Sequence, residues 1–151
     1  MVSGLAAGAI HNNVGKAQCP RAGIETEIIP MEATQAIKTA FAHDYQAMAF
    51  RWAGGTDPDK NVYQFFHTGG AINLVNYSDP EMDKLLDAGR ATVDPAARLK
   101  IYRQISDKLA KDLPYLFLNY FENIALASPS VKGLVSVPDG LLRLGPVWKD
   151  K

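Results

Sequence analysis

The chain has 151 residues, of which 47% are hydrophobic and 21% charged, a balance that supports one globular domain and excludes a disordered or fibrous chain. Its 16 basic and 16 acidic residues cancel, so no long-range field draws it to nucleic acid or to an anionic membrane surface. The single cysteine, Cys19, closes no internal disulfide, the histidines His11, His43 and His67 lack zinc-site spacing, and no cofactor or metal is expected.

The opening MVSGLAAGAI has small apolar residues but neither a basic leader nor a long Leu-rich core, so it makes a poor signal peptide. No apolar run reaches about eighteen residues, the length that would predict a membrane-spanning helix. Residues 1–22 are Gly/Ala-rich and aperiodic and read as leader or linker. The character then changes. GIETEIIP alternates Ile24, Thr26 and Ile28 against Glu25, Glu27 and Ile29, predicting a strand over 24–29 stopped by Pro30. Met31, Ile37, Ala40 and Phe41 among alanines predict a helix over 31–42. A second apolar run predicts a strand over 45–51, which enters a loop at Gly54-Gly55 and Asp57-Pro58.

After a short helix around 62–66, the Gly- and Asn-rich stretch HTGGAINLVNYS reads as an irregular crossing. Ser78 and Glu81 have capping-box spacing with Pro80 in the first turn, predicting a helix over 79–90. Asp94-Pro95 repeats the signal for a helix over 95–112, with Tyr102, Ile105 and Leu109 on one stripe and Pro114 beyond its end. YLFLNYF and NIALA predict strands over 115–121 and 124–127, and a Gly- and Pro-punctuated tail follows over 136–151. The fold class is therefore α/β.

Catalysis finds little support, since no G-x-S-x-G, H-E-x-x-H, P-loop or G-x-G-x-x-G occurs. Asp57, Asp59 and Asn61 imitate the opening of a calcium loop, but Val62 and Thr68 stand where that loop needs Gly and Glu. Trp52 beside Gly54 and Gly55 has two readings: ordinary core, or a cleft wall whose face covers a solute while the glycine backbone approaches it.

W-x4-DPD at 52–59, Phe65-Phe66, Asn73, YSDPEMDKLL at 77–86, Asp94, Arg98, Tyr102 and DLP at 112–114 occur in an ordered series. Over roughly residues 22–135 this series resembles the C-terminal part of the bacterial extracellular solute-binding proteins of family 5, the peptide- and nickel-binding components of ABC importers. The resemblance implies a partial C-terminal lobe, over 23–135, of a periplasmic-binding-protein-like (type II) fold, with a mixed sheet flanked by helices. It also implies a receptor rather than an enzyme, acting in the periplasm or at the cell surface. The solute would be a small molecule or peptide closed between two lobes, and the partner an ABC permease.

The same resemblance places an ammonium-anchoring aspartate three residues after the tryptophan, where this chain has Gly55. Asp57 is one candidate to replace it, and Arg51 suggests the opposite, an anionic solute. The expected ligand-facing residues are Arg51, Trp52, Gly54, Gly55, Asp57 and Asn73. A competing reading takes the chain as a truncated lobe without binding activity of its own. It would form a homo-oligomer through the Tyr102, Ile105 and Leu109 stripe and the aromatic strand bearing Tyr115, Phe117, Tyr120 and Phe121.

Overall fold

The computed structural model describes residues 2–3, 8–50, 52, 54–118, 124–135, 137 and 141–150. Three short strands form a parallel sheet, with β1 (Val2–Ser3) between β2 (Ile29–Pro30) and β3 (Met48–Ala49). Val2 registers with Ile29 and Met48, and Ser3 with Pro30 and Ala49. Parallel neighbours require a crossover, and helices supply both. α1 (Gly8–Gln18), followed by a 3-10 turn at Cys19–Ala22, carries the chain from β1 to β2, and α2 (Ala33–Phe41) carries it from β2 past β1 to β3.

The aperiodic character expected of residues 1–22 is thereby corrected for the described part of that segment, which folds as strand, helix and 3-10 turn. A two-residue strand is too short to display a period. Its ladder partners lie at Ile29 and Met48, so the information that makes it a strand is not local. The strand expected over 24–29 shrinks to its last residue and Pro30. Exposure still alternates, with Thr26 and Ile28 half-buried and Glu25, Glu27 and Ile29 exposed, so the period is present but only Ile29–Pro30 joins the ladder. Likewise the strand expected over 45–51 pairs only at Met48–Ala49.

The helical layer comprises α3 (Pro58–Phe66), α4 (Pro80–Ala91) and α5 (Pro95–Asp112). Each starts with the same local chemistry: an aspartate accepts an N–H of the first turn, and the proline after it fills a position that needs no donor. Asp57 accepts from Asp59 N at 2.8 Å, Asp79 from Met82 N at 2.8 Å and Asp94 from Ala97 N at 2.7 Å. The cap of α4 is thus Asp79, not Ser78; the Ser78 hydroxyl lies 3.1 Å from that of Thr68 instead.

Helix α4 packs along α5, and α3 closes over α4. Met82 and Leu86, one turn apart on α4, meet Ile105 and Leu109, one turn apart on α5, with Phe66 of α3 completing the buried cluster. Burying side chains of this size is worth about 1.5–3 kcal/mol each, so these five dominate the stability of the layer. The Ile105 and Leu109 stripe, expected as an association surface, is this inner face and is unavailable to a partner. Gly89 lets the two helices approach: a Cβ there would stand 3.1 Å from Cζ of Tyr102.

Leu113 ends α5 in the left-handed conformation, with φ 48°. No strand forms over 115–118 or 124–127, and residues 119–123 lie outside the described part. Tyr115 turns into the core, its ring centroid 5.3 Å from that of Phe66, while Leu116, Phe117 and Leu118 are exposed and pair with no strand among the described residues. The antiparallel pairing falls later, between β4 (Val131–Lys132) and β5 (Trp148–Lys149).

Candidate functional site

In an open parallel sheet, a solute crevice forms beyond the carboxyl ends of the strands, where successive connections leave a strand in opposite directions. Here the chain passes from β1 to β2 on one side and returns across β1 to β3 on the other, so the carboxyl end of β3 is such a point. Phe50 and Trp52 follow directly. Their rings stack at 6.2 Å and 26°, and the Trp52 ring lies perpendicular to that of Phe65 of α3, at 5.3 Å and 87°. Phe65 in turn meets Tyr115 at 6.5 Å, and Tyr115 meets Phe117 at 6.4 Å. The result is an aromatic wall, its inner rings fixed in the helical core and its outer rings open: Phe50 is 41%, Trp52 51% and Phe117 64% exposed.

The loop behind Trp52 is tied back to the helices by polar contacts. Gly55 donates its N–H to Asn61 Oδ1 at 2.7 Å and accepts from Asn61 Nδ2 at 2.9 Å, so one side-chain amide satisfies both backbone groups. A Cβ at Gly54 would stand 2.7 Å from the same Oδ1, which is why a glycine fits there. Asp57 receives a guanidinium fork from Arg98 of α5, Nη2 to Oδ1 at 2.7 Å and Nη1 to Oδ2 at 3.1 Å. Arg98 also donates Nε to the Gly89 carbonyl at 3.0 Å. The Arg98 bonds, with the N–H of Asp59, hold the Asp57 carboxyl below the usual carboxylate range, and the same fork raises the guanidinium. Asp59 receives a second fork from Arg90 of α4, at 2.8–3.2 Å.

Both oxygens of Asp57 are therefore engaged by Arg98, and the polar backbone of Gly55 by Asn61, before any solute arrives. Asn73 is used internally as well: Nδ2 donates to the carbonyls of Tyr77 at 2.7 Å and His67 at 3.2 Å, and Oδ1 accepts from Tyr77 N at 3.0 Å. It pins the crossing between α3 and α4 and borders an open recess of about 300 Å³ with His43, Gly70 and Leu74. On the far side of that recess His43 Nδ1 lies 2.9 Å from the Leu74 carbonyl, which also accepts the Tyr45 hydroxyl. Arg51 lies outside the described residues.

Of the six residues expected at a site, the structure places Trp52, Gly54, Gly55 and Asp57 on one loop and Asn73 on a separate crossing. Phe50, Phe65 and Tyr115 extend the wall and were not among the residues expected at a site, Tyr115 having been expected on an association surface instead. The signal at Phe50 and Phe65, aromatic residues at a strand end and on the next helix, acquires meaning only once α3 is folded against the loop, and Tyr115 joins them from beyond α5. Among the described residues no group of three His, Cys, Asp or Glu could hold a metal ion, and no helix is long and apolar enough to cross a membrane.

No model of a protein family matches the chain. It is 34% identical over 117 residues to the oligopeptide-binding protein AppA of Bacillus subtilis, an alignment covering 74% of this chain and 21% of that protein. It is 33% identical over 88 residues to protein XP55 of Streptomyces lividans, covering 56% and 16%. The crystal structure of AppA from Clostridium difficile superposes with a TM-score of 0.82 at 25% identity, covering 99% of this chain and 33% of that one. The B. subtilis AppA complex with a nonapeptide gives 0.79 at 26% identity, covering 99% and 31%. The chain thus spans about a fifth of the length of these curated relatives.

Proposed function

We propose, from the premise that this chain belongs with the peptide-binding proteins of solute-binding protein family 5 and matches a C-terminal part of them, that it forms one wall of a peptide-sized solute site. The relatives are binding proteins of transporters rather than enzymes. In this reading the chain supplies the capture protein of an ABC importer, outside the cytoplasmic membrane, with its permease as partner. The observation that carries the reading is Trp52. It stands just beyond the carboxyl end of β3, half exposed, with its ring braced perpendicular to that of Phe65. Such a ring offers a large apolar face to a solute side chain at little cost in conformational entropy. Arg51, Gly54, Gly55, Asp57 and Asn73 belong to its surroundings in this proposal, with Asp57 and Asn73 supporting the wall rather than touching the solute.

The test is calorimetry with a nonapeptide, on a chimera in which this chain replaces the matching part of B. subtilis AppA. Trp52→Ala is expected to weaken binding about tenfold, the scale for losing one buried aromatic anchor. Unchanged affinity would remove the Trp52 loop from the site.

A second reading has its own support. Leu116 is 77%, Ile124 80% and Leu126 94% exposed, which favours self-association of the chain by itself. Light scattering at micromolar concentration decides it: a dimer supports the reading and a compact monomer ends it.

A further inference from the structure

We infer that Arg98 is a positioning residue for Trp52: its fork on Asp57 fixes the turn between β3 and α3, and so sets the angle at which the Trp52 ring faces the crevice. The inference rests on the reading of the Trp52 loop as solute-facing, and it assigns the charged pair behind that loop a task distinct from binding.

The chain leaves β3 at Ala49 and joins α3 at Pro58. Within that span Trp52 makes ring contacts only with Phe50 and Phe65 among the described residues. Phe65 lies at the far end of α3 from the loop, so the Trp52–Phe65 geometry depends on how the start of α3 is seated. That seat is Asp57, whose Oδ1 caps the helix through Asp59 N while both of its oxygens are gripped by Arg98.

Arg98 is in turn immobilised from three sides. Nε donates to the Gly89 carbonyl of α4, Nη2 reaches the Tyr102 hydroxyl at 3.3 Å, and the guanidinium lies 5.0 Å from the centre of the Tyr102 ring. Its position is thus set by both α4 and α5, the helices that share the buried cluster. A planar fork transmits that position as an orientation, which a lysine ammonium, a point charge, would not. Asp59 with Arg90 repeats the device two residues later and gives the start of α3 a second anchor, on α4.

The chain has two tryptophans, so Trp148→Phe leaves Trp52 as the sole reporter. In that background, acrylamide quenching of Trp52 is compared with Asp57→Ser, which keeps a capping oxygen but loses the fork, and with Arg98→Lys, which keeps charge and stem but not the plane. Quenching is expected to rise by about twofold in both while far-ultraviolet circular dichroism stays native, as when a packed loop becomes locally free. Leu86→Ala, which weakens the core without touching the fork, is expected to leave quenching unchanged well below its melting temperature. In the unsubstituted-fork background, about 1 M salt is expected to move quenching in the same direction by screening the pair, a readout that needs no substitution. Unchanged quenching in the folded Asp57→Ser or Arg98→Lys protein, or under salt should neither fold, overturns the assignment. Because the assay contains no ligand, it fails or succeeds independently of peptide capture, which calorimetry decides.

Discussion

Tyr77 donates its hydroxyl to Asp112 Oδ2 at 2.5 Å, joining the crossing before α4 to the last residue of α5 across a separation of 35 residues. Lys108 completes the junction, with Nζ 3.0 Å from Asp79 and 3.1 Å from Asp112, so one ammonium ties the start of α4 to the end of α5. Burial, and then the bond to Asp112, push the Tyr77 hydroxyl well above the ordinary tyrosine range.

This junction predicts acid sensitivity. The Tyr77 hydroxyl and then Lys108 hold Asp112 below the usual 3.8, and the Met82 N–H and then Lys108 do the same for Asp79. A carboxylate depressed in the fold stabilises it fully above the unfolded value, and that contribution is lost as pH falls below 3.8 through the folded values. Thermal melts from about pH 6 down to about pH 2 are expected to show melting temperature falling at the acid end. In Tyr77→Phe the fall is expected to be shallower, because Asp112 returns toward its ordinary value. An equal slope in the two proteins would remove Tyr77 from the effect.

Leu86→Ala tests the core. Leu86 is 1% exposed and sits among Phe66, Met82, Ile105 and Leu109, so truncation removes apolar burial and leaves a cavity, at a cost of about 2–5 kcal/mol. Val93→Ala, at a position 91% exposed, is expected to stay within about 0.5 kcal/mol. Urea midpoints at constant m-value measure both.

The crossing after α3 predicts a sharp response at Gly70. A Cβ at that position would run into the carbonyl of Gln64, a backbone group that cannot swing aside. Gly70→Ala is expected to cost about 1–3 kcal/mol by the same urea assay, whereas Gly15→Ala, inside α1 with open space around it, is expected to stabilise by about 0.5–1 kcal/mol.

Arg90 predicts a difference between arginine and lysine. Its guanidinium lies 3.3 Å from the centre of the Tyr63 ring while gripping Asp59 with two nitrogens, and a lysine can provide the charge but not the stacked plane. Arg90→Lys is expected to lower the melting temperature, whereas Lys100→Ala, on the exposed face of α5, leaves it unchanged. Equal melting temperatures for Arg90→Lys and the parent would show that charge alone suffices there.

Helices α4 and α5 were legible in the sequence because their signals are local, whereas the first turn of α3, from Pro58, was read as loop. Asp94-Pro95 and the Asp79-Pro80 step mark helix starts through contacts two or three residues long, and the spacing of Met82 and Leu86 or Ile105 and Leu109 is one helical turn. The family resemblance and the position of Trp52 after a strand were legible for the same reason, as an ordered series of short motifs. The sheet was not. Its strands are two residues long, and β1 becomes a strand only by pairing with Ile29 and Met48, so a segment without a period acquires one role from two distant neighbours. Nor could the sequence assign the loop's polar groups. Whether Asp57 faces a solute or a guanidinium depends on Arg98, 41 residues away, arriving on α5 once Ile105 and Leu109 have buried themselves against α4. Short-range chemistry decided which residues turn, cap and coil; the tertiary structure alone decided which charges meet, because hydrophobic packing sets the position of the helices that carry them.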